Sequence, residues 1–102
     1  MIVHDTIAPL LSETRLRAAV RQWARESGKR MQAKRKALKM RQSTLAGAAG
    51  VSTQTVSKAE LGEIVPKDQV RIAIAAALLC EVDEIWPYPQ RADIWAQARE
   101  IA

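Results

Sequence analysis

Residues 42–62, QSTLAGAAGVSTQTVSKAELG, constrain the fold more than any other stretch of this chain. Leu45, Ala46 and Ala49 recur at helical spacing, Gly50 interrupts them, and Val51, Val56 and Ala59 resume the pattern on a second short helix. Gly50 is the expected corner, because a tight interhelical turn needs the positive φ that glycine adopts without strain. Ala46 is small enough to let the two helices approach closely at an open angle. Ser52 stands where the second helix needs an N-cap, its hydroxyl placed to accept from an amide two or three residues on. Gly62 is the expected residue just beyond the C-terminus. With Val56 and Ala59 turned inward, Thr53, Gln54, Ser57 and Lys58 are left outward on a helix of about two and a half turns. These are side chains suited to base edges: Gln pairs in bidentate fashion with adenine, Lys favours guanine or phosphate, and hydroxyls bond several edges.

The arrangement resembles the helix-turn-helix of the Xre-type family, which includes the lambda-type phage repressors and Cro proteins. The family pattern is Gln, two residues, Leu-Ala, three residues, Gly-Val-Ser, three residues, Val or Ile-Ser, two residues, Glu, one residue, Gly, three residues, Pro. Gln42, Leu45-Ala46, Gly50-Val51-Ser52, Val56-Ser57, Glu60, Gly62 and Pro66 occupy every slot, and the resemblance covers about residues 29–86. It implies that Gln42 binds backbone phosphate and that the second helix lies in the major groove, with Thr53, Gln54 and Lys58 at the bases. Two positions depart from the pattern. Arg41 stands where the family has a Ser or Thr cap, so either Ser43 caps a later start or Arg41 has another task, such as a phosphate. Lys34 replaces an apolar residue, which implies a rotated or more exposed preceding helix.

Charge supports a nucleic-acid partner. The formal net charge is +5, but residues 15–41 hold eleven Lys or Arg against the single acid Glu26, a net of +10, and both flanks are acidic. Concentrated positive charge beside a reading helix is the electrostatic footprint of DNA binding; the plain alternative is a solvated helix face. Phosphate contacts are therefore expected of Gln42, Ser43, Thr55, Arg35, Lys39 and Arg41. Arg17, Arg21 and Arg25, recurring every fourth residue, are candidates for additional DNA contact.

The remaining chain reads as support. Residues 1–11 resemble an arm, with Pro9 opposing helix before it. A helix is expected over 12–27, with Leu16, Val20 and Trp23 on one stripe, then a break or kink at Gly28, a bent continuous helix over 12–39 being the alternative, and another helix over 29–40 with Met31, Leu38 and Met40 inward and Arg30, Lys34, Arg35, Lys36 and Lys39 mostly outward. After a loop at 63–65, Pro66 opens a core helix carrying Val70, Ile72, Ile74, Ala75, Leu78 and Leu79, with Cys80 a buried small hydrophobe at its end. A short helix follows at 83–86. Residues 87–89, Pro-Tyr-Pro, break the chain before a terminal helix at 90–102, which carries Trp95 and is expected to pack on the same domain, around Trp23, or on a second copy.

The fold class expected is all-α: a helical bundle around a lambda-repressor-like helix-turn-helix, with an extra helix at each end. Three parts are expected: an arm and basic helix over 1–28, the DNA-binding domain over 29–86, and the C-terminal helix over 87–102. Cys80 alone permits no internal disulfide, and with His4 as the single histidine no metal set or cofactor site is expected. No constellation supports catalysis. The longest apolar run, residues 72–80, is too short to span a membrane, and residues 1–11 lack a basic start, so a cytoplasmic place in a bacterial host cell is expected. At 102 residues an appended self-cleaving domain is not expected either. The partner expected is double-stranded operator DNA, with no membrane or small-molecule ligand evident; monomer and homodimer both stay open. The reading is a sequence-specific transcriptional regulator, a temperate-phage immunity repressor that occludes a promoter. The alternatives are the antitoxin of a toxin–antitoxin pair and a protein-interaction module with a vestigial helix-turn-helix.

Overall fold

A computed structural model of the chain describes the backbone of residues 2–88 and the side chains of residues 14–88. Every regular element among them is helical: α1 (Ile2–Ala37), α2 (Gln42–Ala49), α3 (Thr53–Glu60), α4 (Asp68–Ala77) and α5 (Val82–Ile85). The expected terminal helix at 90–102 lies outside the described residues.

The all-α class is as expected, but the N-terminal third is not. The arm is helical, the break at Gly28 is absent, and one 36-residue helix runs through, as in the continuous alternative, but starting earlier than residue 12. Proline keeps φ helical and removes one internal hydrogen bond, so a long helix carries Pro9 at a cost of about 3 kcal/mol rather than ending there. Gly28 serves packing, not punctuation. A Cβ at this position would lie 2.3 Å from the carbonyl oxygen of Glu60 and 2.5 Å from that of Ala59. Only glycine lets α1 come this close to the C-terminal end of α3.

By its backbone contacts the chain forms two compact units, one of them Ala24–Tyr88. Its core is built from Met31 of α1, Leu45 and Ala46 of α2, Val56 and Ala59 of α3, Ile74, Ala75 and Leu78 from α4 and its C-terminal end, and Ile85 and Trp86 around α5, all buried. Burying a side chain such as Leu45 or Ile74 contributes roughly 1.5–3 kcal/mol, and the alanines set how closely the helices approach. Three residues expected inside lie outside: Leu38, Ile72, which is 59% exposed, and Leu79, which is 81% exposed. Ile72 falls on the face of α4 opposite Ile74, since a two-residue step turns a helix by about 200°. Residues 2–23 of α1 belong to the other unit; in it Ala19 is buried while Val20 is exposed and Trp23 and Leu16 are half-buried.

Four helix ends share one device. At Lys39, Gly50, Gly62 and Leu79 the backbone enters the left-handed region, with φ of 55°, 71°, 75° and 58°. The following amide then bonds five residues back, as in Met40 N to Arg35 O at 3.1 Å, Val51 N to Ala46 O at 3.0 Å, Glu63 N to Lys58 O at 3.0 Å and Cys80 N to Ala75 O at 3.0 Å. Gly50 is the expected corner and Gly62 the expected residue beyond the helix end. Lys39 and Leu79 occupy the same conformation with a Cβ, at a cost of about 1 kcal/mol each.

At the far side of the bundle Arg30 donates through Nε to the carbonyl of Ile85 at 2.8 Å and through Nη2 to the buried Ser27 hydroxyl at 3.0 Å. Lys34 reaches Glu84 at 3.3 Å, so the expected departure from an apolar residue gives a half-exposed link between α1 and α5. The Glu84 carboxyl also accepts from the Glu81 amide at 2.7 Å, which closes the first turn of α5. That bond, then Lys34, holds the carboxyl below its ordinary range. Cys80 is half-buried, and burial pushes its thiol up, the environment of a packing residue rather than a reactive one.

Candidate nucleic-acid interface

The start of α3 is set by Ser52, which is extended at φ −77° and ψ 154° and accepts from the Thr55 amide at 3.0 Å. Its hydroxyl also lies 2.9 Å from that of Thr55, so the Thr55 hydroxyl is part of the cap. The other end is fixed twice over: Gly62 has a positive φ, and a Cβ there would sit 2.6 Å from the Cα of Arg25. Between these stops the helix buries Val56, Ala59 and Glu60.

Helical geometry then assigns the opposite face. At about 100° per residue, Gln54 and Lys58 lie across α3 from Val56, with Ala59 toward one flank and Thr53 and Ser57 toward the other. Thr53 and Gln54 are exposed and Ser57 and Lys58 half-buried, so the four side chains expected at base edges share a solvent-facing surface on one short helix.

The polar residues behind that surface do something else. Arg35 is only 8% exposed and Glu60 7%. The Arg35 guanidinium donates through Nε to Glu60 Oε2 at 2.6 Å, through Nη2 to Oε1 at 3.0 Å and through Nη1 to the carbonyl of Met40 at 2.8 Å. Its bond to Glu60 raises its pKa further, so the charge is permanent. The sequence places Arg35 at a phosphate; in the structure its guanidinium is instead buried against Glu60 and the carbonyl of Met40. Each of its three nitrogens donates to a protein acceptor, the pairing that a buried guanidinium needs. Gln42 joins the same network, donating through Nε2 to Glu60 Oε1 at 3.1 Å. One carboxylate thus fixes α1, the turn after it, the start of α2 and the end of α3. Glu60 was visible in the sequence only as a motif slot; the signal for its partner was an arginine on the preceding helix, hidden within a run of cations.

The start of α2 is open. Arg41 occupies the N-cap at φ −80° and ψ 159° without a side-chain cap bond, and the helix begins at Gln42, so Ser43 is a helical residue rather than the cap. Arg41, Ser43 and Lys39 are exposed. The first amides of a helix lack internal acceptors and lie at the positive end of its dipole, which favours an anion there.

Beside α3 lies a cleft of about 310 Å³ lined by Arg25, Lys29, Gln32, Gln42, Ser57, Glu60 and Leu61. Lys29 and Gln32 were not singled out as site residues from sequence. Arg25 lies in this wall and is exposed; Arg17 and Arg21, also exposed, belong to the other unit. Among the described residues no His, Cys, Asp or Glu group is arranged to hold a metal ion, and no helix is long and apolar enough to cross a membrane.

Against known proteins, the family model described as "Helix-turn-helix" matches residues 31–85. No curated protein and no solved structure matches the chain.

Proposed function

Since the chain belongs to the Xre-type, lambda-repressor-like helix-turn-helix family of DNA-binding regulators, we propose that it recognises a specific operator in double-stranded DNA by laying α3 in the major groove. The observation that carries this reading is the outer face of α3, on which the exposed Gln54 and half-buried Lys58 stand opposite the buried Val56. Gln54 and Lys58 read base edges, with Thr53 and Ser57 beside them. Lys39, Arg41, Ser43, Thr55 and the amides at the start of α2 meet the phosphates that set the register. Gln42 reaches that strand from an anchored position, since its amide already rests on Glu60.

The finer role we assign is a repressor of the temperate-phage immunity type, which occludes a promoter when α3 is seated. It rests on the slots that Gln42 to Pro66 fill in the pattern of the lambda-type repressors and Cro proteins. The test has two stages. Anisotropy against a duplex that the protein selects from a random pool and against a scrambled duplex measures sequence preference, and equal affinity for both would refute operator recognition. Footprinting on the DNA upstream of its own gene then locates the site; protection that leaves promoter elements open would refute occlusion.

A further inference from the structure

The cleft beside α3 pairs two cations, and the one acid among its lining residues is already engaged. Arg25 and Lys29 are four residues apart on α1 and therefore neighbours on one face. Among the described residues neither has an ion-pair partner, although like charges at this spacing repel. The one acid in the wall, Glu60, already has its oxygens engaged by Arg35 and Gln42, and its charge is cancelled by the Arg35 guanidinium. The cleft is thus doubly positive, with further polar groups from Gln32, Gln42 and Ser57, and Leu61 is its single apolar wall. The carbon stems of the long side chains add apolar surface to that of Leu61, and the charged and hydrogen-bonding groups at their ends are what a compact oxyanion would use.

We propose that this cleft is a phosphate site, and that its occupant is a backbone phosphate of the bound DNA. The proposal rests on the DNA-binding reading above. Two of its walls belong to the reading surface itself: Ser57 lies on α3 beside Thr53, and Gln42 opens α2. A strand passing Gln42 therefore runs past the cleft, where Arg25 and Lys29 clamp one phosphate. Both cations lie before residue 31, where the family match begins, so this contact is supplied by the added length of α1.

The test compares the whole chain with Arg25→Gln/Lys29→Gln across a salt series, on the selected and the scrambled duplex. Glutamine keeps the Cγ that Arg25 packs against Gly62, and Lys29→Gln alone, at an exposed position, serves as a second variant should the double one unfold. Losing one phosphate contact lowers the slope of log K against log salt by about one on both duplexes, with the ratio between them kept. An unchanged slope on both overturns the DNA assignment. If the unaltered protein binds neither duplex, it is the DNA-binding reading that has failed, and inorganic phosphate decides the cleft. Saturable shifts of the Gln32 and Ser57 amide signals that vanish in the variant then assign it to a free phosphate. No shift removes the site altogether.

Discussion

Glu60 and Gln54 stand on the same eight-residue helix, both polar and within two turns of each other, yet they do opposite work. Glu60 is buried and bound on both oxygens, whereas Gln54 is exposed and its side chain makes no hydrogen bond among the described residues. The buried side of α3 spends its polar groups on holding three helices in register; the outer side leaves them free for a partner. A residue's distance from the reading surface therefore does not give its role. What separates positioning from contact is whether its hydrogen-bonding capacity is already used, and that separation is open to mutation.

The largest effect is expected at the buried side. Arg35→Ala leaves the Glu60 carboxylate without its countercharge, which costs roughly 3–5 kcal/mol of stability, measured by denaturant unfolding. Lost DNA affinity with unchanged stability would break the comparison and return Arg35 to the phosphates. Gly28→Ala comes next, because its Cβ would meet the last carbonyls of α3 and overpacking of this kind costs about 1–3 kcal/mol. A melting temperature at or above that of the parent would show that α1 has room to move away.

At the outer side the effect moves from stability to recognition. Gln54→Ala is expected to leave unfolding unchanged and to lower affinity for the selected duplex by about 1–3 kcal/mol at one base position. The smallest effect sharpens the account of the helix ends. Leu79→Gly should stabilise the chain by up to about 1 kcal/mol, since Leu79 is exposed and holds a left-handed conformation that glycine adopts freely. A destabilised variant would mean that the Leu79 side chain packs on something.

Glu84 gives the chain one point of acid sensitivity. Its folded-state pKa lies below the ordinary value, so the stability that it contributes is present above the ordinary carboxylate range and fades as pH falls through the lowered value. Glu84→Gln should accordingly lower the neutral plateau slightly and flatten the acid limb, with stability at low pH left as in the parent.

The helix-turn-helix was legible in the sequence because its signals are local. Gly50 and Gly62 mark turns by backbone freedom, Ser52 marks a start by one hydroxyl, and Val56 and Ala59 mark a face by spacing. The misreadings concern signals whose meaning is set elsewhere in the fold. Gly28 looks like a breaker along the chain, but the reason for it is a carbonyl 32 positions later. Arg35 is one of eleven cations in its stretch, and nothing nearby distinguishes the one that finds a buried carboxylate from those left in solvent. Ile72 and Leu79 looked buried because hydrophobic density alone does not say which face of α4 turns outward.

The most direct measurement is a salt-series anisotropy titration of the unaltered protein and Gln54→Ala on the selected and scrambled duplexes. If the outer face of α3 reads bases, the variant loses roughly ten- to a hundredfold affinity for the selected duplex alone, with unchanged affinity for the scrambled one and the same salt slope on each. Equal losses on both duplexes, or none on either, would contradict base reading by α3.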